Sequence, residues 1–369
     1  MRVLILTQRW GKGGVLGFVQ EWVRELSRKV EKVYCVVLEK EIQEIPDVPV
    51  FSLGKEKGYR ILPDLHYLIR LYNILVKIEK EGGVDVIFSH MLPIFTIAIF
   101  PYAYLRRIPI VQWYAHPSVD LKLKIAHHLA SCVVTSLPTA YRYKKDKVKV
   151  LGQGIDTKMF SPGPPHRWFP ELLILYVGRI SPVKDIETLI KAAVLLRKRS
   201  NLNFKVSIVG GPVTQRDRIY LETLKKLVEE ENLEQIVTFE GPVEHGEELV
   251  EWYRRCYFHV NLTPTGSGDK TVLESMACGK PTLVANEGFR ETLGKYAEVL
   301  TFKYGCPEDL ANKMCFLFRL SRKEIEDMGK YLRERVKRFH SLEILMEKLI
   351  DVFEEVVRIK SGKNENYLL

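Results

Sequence analysis

Arg179 and Lys184 stand in the segment Gly178-Arg179-Ile180-Ser181-Pro182-Val183-Lys184-Asp185, after the apolar run Leu172 to Tyr176 and before a helical pattern, Ile186 to Arg197. Two cations at a strand end beside a helix N-terminus suit a doubly negative group such as a diphosphate, because side-chain charge and helix amides converge on one anion. Gly210-Gly211 follows the next apolar run, Lys205 to Val209, and leaves room for a nucleotide. A third segment, Thr263-Pro264-Thr265-Gly266-Ser267-Gly268-Asp269-Lys270-Thr271-Val272-Leu273-Glu274, continues through the small residues Ser275, Ala277 and Gly279 to Lys280-Pro281. It reads as a strand end, a polar loop and a short, closely packed helix. Glu274 in mid-helix is either a solvated helix charge or, turned into a site, a carboxylate able to bind both hydroxyls of a ribose. Near the start, Gly11-Lys12-Gly13-Gly14-Val15-Leu16-Gly17 follows the first apolar run; its glycines let backbone amides approach an anion closely. The spacing is not the GxGxxG dinucleotide fingerprint, and ordinary turn chemistry accounts for the loop as well.

These segments need strands that end beside one another. Short β-branched runs (Val3 to Leu6, Val33 to Leu38, Val86 to Phe88, Ile108 to Trp113, Cys132 to Val134) alternate with helical spacing over Phe18 to Val30, Leu62 to Ile78 and Leu121 to Ala130. A second series runs through Leu172 to Tyr176, Lys205 to Val209, Ile236 to Phe239, Phe258 to Leu262, Pro281 to Ala285 and Val299 to Phe302. The pattern predicts an α/β protein of two Rossmann-like, doubly wound domains facing one another across a cleft, with ligands beyond the carboxyl ends of the strands. We assign residues 1–160 to the first domain and 161–340 to the second, with a linker in the Gly/Pro-rich stretch around 152–170. The helical pattern Leu342 to Ile359 is a candidate to return to the first domain, and the tail from Lys360 to Asn366 is expected to fray.

A length of 369 residues suits two domains, and 46% hydrophobic with 28% charged residues builds packed cores and excludes wholesale disorder. The longest apolar stretch, Met91 to Leu105, contains two prolines and falls short of a bilayer span; a buried helix with a turn at Pro101 is expected. The start lacks the pattern of a cleaved leader, so a cytoplasmic chain is expected. Six cysteines without paired CxxC spacing indicate neither a zinc site nor a disulfide framework. The net charge of +10 is concentrated in the first half, densest at Tyr141-Arg142-Tyr143-Lys144-Lys145-Asp146-Lys147-Val148-Lys149. That patch suits an anionic membrane surface or a phosphorylated acceptor, or is a solvated loop; nucleic acid is disfavoured because no binding module accompanies it.

The chain resembles the retaining glycosyltransferases of family 4, which have the GT-B fold. The resemblance is carried by Gly13-Gly14, by Asp85-Val86-Ile87-Phe88-Ser89-His90, by Gly154-Ile155-Asp156-Thr157-Lys158-Met159-Phe160, by Gly178-Arg179 through Lys184, and by Glu274 running to Gly279-Lys280-Pro281. It implies transfer of a sugar from a UDP-, GDP- or ADP-sugar donor to a glycan or lipid-linked acceptor hydroxyl with retention of configuration; the basic first half and the apolar stretch near residue 100 add the expectation of a peripheral position on the inner membrane face. It implies that Arg179 and Lys184 stabilise the departing diphosphate, that Glu274 holds the ribose, and that Gly13 and Gly14 approach the diphosphate. His116, in Tyr114-Ala115-His116 after the run Ile108 to Trp113, would lie near the transferred sugar; His90 is a weaker candidate for the same role. Gly211, Asp269, Lys270 and Thr271 complete the expected donor site.

The sequence departs from the family at Gly266, where the Glu-x7-Glu pattern places its first glutamate, and at Gln153, which replaces a common asparagine. Asp269 and Lys270 are the neighbours able to take over part of the lost contact. No Asp-x-Asp metal pair is evident, so neither metal nor cofactor is expected, and the Arg/Lys pair would meet the charge that builds on the leaving group. The rival reading is an inactive GT-B scaffold that binds nucleotide or a partner subunit.

Overall fold

The structure is a computed structural model and describes residues 1–11, 18–41, 45, 47–58, 62–163, 172–200, 202–266 and 268–362. The chain divides into two units, Met1–Gly154 with Leu342–Leu369 and Ile155–Ser341.

The first unit begins β1 (Arg2–Trp10), α1 (Phe18–Ser27), β2 (Lys32–Lys40), β3 (Val50–Ser52), α2 (Pro63–Lys80), β4 (Val86–His90) and α3 (Pro93–Arg106). It continues with β5 (Ile110–Trp113), α4 (Leu121–Leu129), β6 (Cys132–Thr135) and β7 (Val148–Val150). The seven strands form a parallel sheet in the order β3-β2-β1-β4-β5-β6-β7. Such a sheet is covered on both faces, which is why its strands read as nearly continuous Val/Ile/Leu runs. Val3, Ile5, Val33 and Cys35 pack beneath α1, whereas Leu4, Leu6, Tyr34 and Val36 pack beneath α2 and α3.

The second unit contains β8 (Leu172–Val177), α5 (Ile186–Arg199), β9 (Phe204–Val209), α6 (Gln215–Glu230), β10 (Val237–Gly241), α7 (Glu247–Arg255) and β11 (Phe258–Asn261). There follow α8 (Lys270–Ala277), β12 (Thr282–Val284), α9 (Arg290–Leu293), α10 (Ala297–Leu300), α11 (Pro307–Arg319) and α12 (Arg322–His340). Its parallel sheet runs β10-β9-β8-β11-β12. The final helix, α13 (Leu342–Lys360), buries Leu345, Met346, Leu349 and Phe353 in the same core as α1 in the first unit.

Three elements differ from the sequence reading. The changeover between units falls at Gly154–Ile155, ahead of the expected 160/161 boundary. Ile155 pairs with Ser341, and Arg333 donates to the Thr157 and Phe160 carbonyls, so Ile155 to Phe160 belong to the second unit. Residues 164–170 of the expected linker, and 363–366 of the expected tail, lie outside the described residues. Val299 to Phe302 is not a strand: α10 takes its first half, Val299 and Leu300, and only Thr301 bridges Val284. Pro101 interrupts nothing, being exposed within α3, and that helix is not wholly buried, because Tyr104 and Leu105 face solvent. No helix among the described residues is long and apolar enough to cross a membrane.

Candidate functional site

In the second unit the chain leaves β8 toward β9 on one side and enters β11 and β12 on the other, so the strand order reverses between β8 and β11. The carboxyl ends flanking such a switch point form a natural crevice for a ligand. Arg179 and Lys184 follow β8, and the segment from Thr263 to Glu274 follows β11; the fold therefore brings together two segments that are far apart in sequence.

Backbone contacts hold the Arg179 turn. The Tyr176 hydroxyl donates to the Arg179 carbonyl at 3.1 Å, and Ile180 N donates to the Gly211 carbonyl at 3.0 Å. Gly210 sits at φ +138°, and a Cβ there would lie 1.9 Å from the Gly178 carbonyl oxygen. Gly211 has no such constraint, since a Cβ would meet only Pro242 at 3.6 Å.

Lys184 ends a short 3-10 turn, Pro182–Lys184, and its Nζ donates to Asp269 Oδ2 at 2.6 Å and to Thr263 Oγ1 at 3.0 Å. The same Asp269 oxygen accepts from Asn261 Nδ2 at 2.9 Å and from Thr263 Oγ1 at 2.5 Å. Burial opposes the Asp269 charge, but the Lys184 ammonium and these hydrogen bonds outweigh it and hold the carboxyl below the usual aspartate range. Asp269 occupies the N-cap position of α8 without capping it, because its carboxylate is committed to Lys184. Lys270 and Thr271 open that helix, with Thr271 Oγ1 3.5 Å from Asn261 Nδ2. Gly266 is buried just before it, and Ser267 lies outside the described residues.

Arg179 is 43% exposed, with its Nε 4.0 Å from Asp217 Oδ2. Asp217 belongs to a capping box at the start of α6. The Thr214 amide donates to it at 3.0 Å, and this bond, against burial, holds its carboxyl low.

Glu274 is only 3% exposed, which removes the solvated helix charge from the two alternatives. Its Oε1 accepts from His245 Nε2 at 3.2 Å and its Oε2 from the Tyr253 hydroxyl at 3.0 Å. Burial, reinforced by the Glu274 charge, pushes the Tyr253 pKa well above its ordinary value, so this phenol remains a donor.

In the first unit, His116 is exposed in the loop after β5, and its Nδ1 accepts from Ser118 N at 3.2 Å. That bond makes Nδ1 the acceptor, so the neutral tautomer that fits it carries its proton on Nε2. His90 ends β4 and is buried, with Nδ1 3.1 Å from Thr7 Oγ1 and its ring 5.7 Å from that of Trp22. Gly13 and Gly14 lie outside the described residues.

Residues 168–335 match the family described as Glycosyl transferases group 1. The matched stretch contains Arg179, Lys184, Gly211, Asp269 and Glu274. The chain is similar to a D-inositol 3-phosphate glycosyltransferase of Frankia alni, 32% identical over 162 residues, which is 40% of this chain and 38% of the relative. It thus spans well under half the length of that relative. Among solved structures it resembles sucrose-phosphate synthase from Thermosynechococcus elongatus, with a TM-score of 0.76 and 20% identity over 97% of this chain and 99% of the other. It also resembles the Anabaena HepE protein in complex with UDP, with a TM-score of 0.76 and 16% identity over 96% and 100%. Its fold is that of the GT-B glycosyltransferase structures, two parallel-sheet α/β units.

The sequence does not single out Asp217, Asn261, His245 or Tyr253, and it marks Thr263 only as the start of its segment. Thr214-x-x-Asp217 after Gly210-Gly211-Pro212 is a recognisable capping signature and marked a helix start beside Arg179. Nothing local marked His245 or Tyr253, whose partner lies on a different helix.

Proposed function

We propose that this chain is a glycosyltransferase that moves a sugar from a nucleotide-diphosphate sugar to an acceptor hydroxyl, with retention of configuration and without a metal ion. The observation that carries the reading is the placement of Arg179 and Lys184 at the carboxyl end of β8, with Lys184 held in position by Asp269 across the switch point. The match of this stretch to the Glycosyl transferases group 1 model supports it, and the UDP bound to the similar HepE protein favours a UDP-sugar donor.

As the bond from sugar to diphosphate breaks, positive charge gathers on the sugar ring and negative charge on the departing diphosphate. Preorganised cations facing that developing charge lower the barrier directly. Arg179 is the exposed cation and Lys184 the anchored one. Asp269 and Lys270 are the neighbours that take over part of the sugar contact a carboxylate at Gly266 would make, and Thr271 completes the donor site. Glu274 takes a ribose hydroxyl by exchanging its His245 contact while keeping Tyr253. His116 is assigned as a hydrogen-bond donor to the transferred sugar, consistent with its Nε2 proton. A glycan or lipid-linked acceptor suits the basic first unit.

A thermal-shift titration with UDP, GDP, ADP and their sugars tests the reading, because a ligand that binds only the folded state raises Tm. At least one nucleotide should stabilise the wild type, and Arg179→Ala and Lys184→Ala should lose most of that shift. A wild type that no nucleotide stabilises would refute the proposal. Transfer or hydrolysis of the stabilising sugar donor, persisting in excess EDTA, separates a metal-independent enzyme from an inactive scaffold.

A further inference from the structure

The basic segment from Tyr141 to Lys149 proves to be largely occupied with its own unit. Lys145 donates to the Pro138 and Tyr141 carbonyls, Lys147 to the Ala130 carbonyl at 2.6 Å, and Lys149 pairs with Glu355. Asp146 accepts from Nε2 of the buried His127 at 3.0 Å, so the other ring nitrogen, Nδ1, accepts from the Tyr141 hydroxyl at 2.8 Å. Burial, outweighing the Asp146 hydrogen bond, lowers the His127 pKa and keeps the ring neutral. The Tyr141 ring, fully buried and held in this way, stands edge-on to the ring of Tyr114 at 6.0 Å, in one small cluster with Leu123, Ala130 and Val133.

Tyr114 opens the loop that joins β5 to α4. Its amide donates to the Val134 carbonyl at 3.0 Å, and at the far end Asp120 caps α4 by accepting from Leu123 N at 2.7 Å. Between these anchors Pro117 presses the residue before it, His116, toward extended backbone. The Tyr114 hydroxyl crosses the loop and donates to the Ser118 carbonyl at 3.0 Å, while the Ser118 amide donates to His116 Nδ1 at 3.2 Å. Ser118 is thereby gripped at its carbonyl by Tyr114 and at its amide by His116. The Tyr114 and His116 rings also meet edge to face, 6.3 Å apart. Burial, reinforced by the Asp120 charge, raises the Tyr114 pKa, so the phenol keeps the proton it donates.

We infer that Tyr114 is a positioning residue, which holds the His116 imidazole in one orientation and one tautomer for its contact with the transferred sugar. The inference rests on the hydrogen-bond role proposed for His116. An exposed imidazole left to itself samples several rotamers and both tautomers, and ordering it before the sugar arrives removes that entropy from the transfer step. Tyr141, backed by His127 and Asp146, gives the Tyr114 ring a fixed wall to lean on. Ser118 is itself exposed, so Tyr114→Phe returns its carbonyl to water while the ring keeps its place in the cluster.

Long-range proton–nitrogen NMR of the full chain with isotope-labelled histidine reports the tautomer of each ring, and His116→Gln assigns the His116 signals. In mildly alkaline buffer the wild type should carry the His116 proton on Nε2, and Tyr114→Phe should raise the share of the Nδ1–H form severalfold. Tyr141→Phe leaves the buried His127 Nδ1 without its donor; it should lower Tm more than Tyr114→Phe does, yet leave the His116 spectrum as in the wild type. With whichever of UDP-glucose, GDP-mannose and ADP-glucose is turned over, kcat should fall about threefold to tenfold in Tyr114→Phe, the effect of one hydrogen bond, with KM and nucleotide affinity changed by less than about twofold. In a His116→Ala background the same substitution should have no further effect. Unchanged tautomer shares in Tyr114→Phe, an equal loss of kcat with and without His116, or a Tyr141→Phe variant that shifts the tautomers as far, overturns the inference. A different result, His116→Ala with kcat intact, refutes instead the sugar role of His116 on which it rests.

Discussion

Lys184 and Asp269 form a 2.6 Å ion pair that joins the loop after β8 to the loop after β11. The pair aims the ammonium but also neutralises it, so an incoming diphosphate must share Lys184 with a carboxylate already in place. Asp269→Asn keeps the shape and removes the competing charge. It should leave nucleoside diphosphate affinity unchanged or tighter while turnover of the sugar donor falls. Lys184→Ala removes a charge-assisted hydrogen bond worth about 1.5–3 kcal/mol and should weaken the diphosphate about tenfold or more. Isothermal titration of both variants decides the matter: equal losses of affinity would show that Asp269 supports the cation rather than competing for it.

Glu274 is the second place where the structure sharpens a test. Glu274→Gln turns one carboxylate oxygen into an amide that must face either the Tyr253 hydroxyl or His245, and a mismatched buried group costs about 1–3 kcal/mol, seen as a lower Tm. If Glu274 also binds ribose, UDP affinity should fall in the variant while pyrophosphate affinity does not. Tyr253→Phe should reproduce the stability loss with less effect on UDP. Identical changes for UDP and pyrophosphate would remove Glu274 from the ribose role.

Much of this was legible in the sequence because parallel strands buried on both faces must be apolar throughout, and the alternation of such runs with helical spacing names the fold. Arg179, Lys184 and Asp269 stand out in the sequence because glycine, proline and charge crowd together where strands end, and the structure brings Lys184 and Asp269 into contact. The partners were harder. Tyr253 and Glu274 come from α7 and α8, and the contact of their side chains depends on how those helices pack, which no local spacing encodes. Val299 to Phe302 has the composition of a strand, yet the helix Ala297–Leu300 takes its first two residues: propensity over four residues is too weak to resist tertiary packing. The charge of Tyr141 to Lys149 was read correctly as dense, but whether a lysine faces water or a carbonyl is set by the fold.

The adjacent glycines Gly210 and Gly211 give a contrast that a generic glycine-rich loop would not. Gly210→Ala would place a Cβ 1.9 Å from a backbone carbonyl that cannot move aside easily, at a φ of +138°. Strain of this kind costs about 1–3 kcal/mol before the clash is counted. Gly211→Ala meets only ordinary contact with Pro242. Chemical denaturation should therefore show a clear loss for the first variant and little for the second. Comparable stability of the two would mean that the close approach of Gly178 and Gly210 is not needed to hold the Arg179 turn.

His259 on β11 supplies the last prediction. It is fully buried, neither ring nitrogen has a hydrogen-bond partner among the described residues, and the hydroxyls of Thr282, its neighbour across the strand pair, and of Ser275 on α8 are likewise unpartnered. Burial lowers its pKa from 6.5 to about 3, with the Asp269 charge opposing the shift only in part. The ring therefore stays neutral in the folded protein at pH values where the unfolded chain takes up a proton. Protons bound preferentially by the unfolded state favour unfolding, so stability is complete above about pH 6.5 and is lost as pH falls toward 3. One such group contributes a slope of about 1.4 kcal/mol per pH unit within that window. His259→Phe and His259→Gln cannot take up this proton, and both should flatten the dependence of unfolding free energy between about pH 6.5 and 5, whichever way packing shifts their stability at neutral pH. Urea denaturation at a series of pH values measures it. Slopes in both variants as steep as in the wild type would show that other groups carry the acid sensitivity.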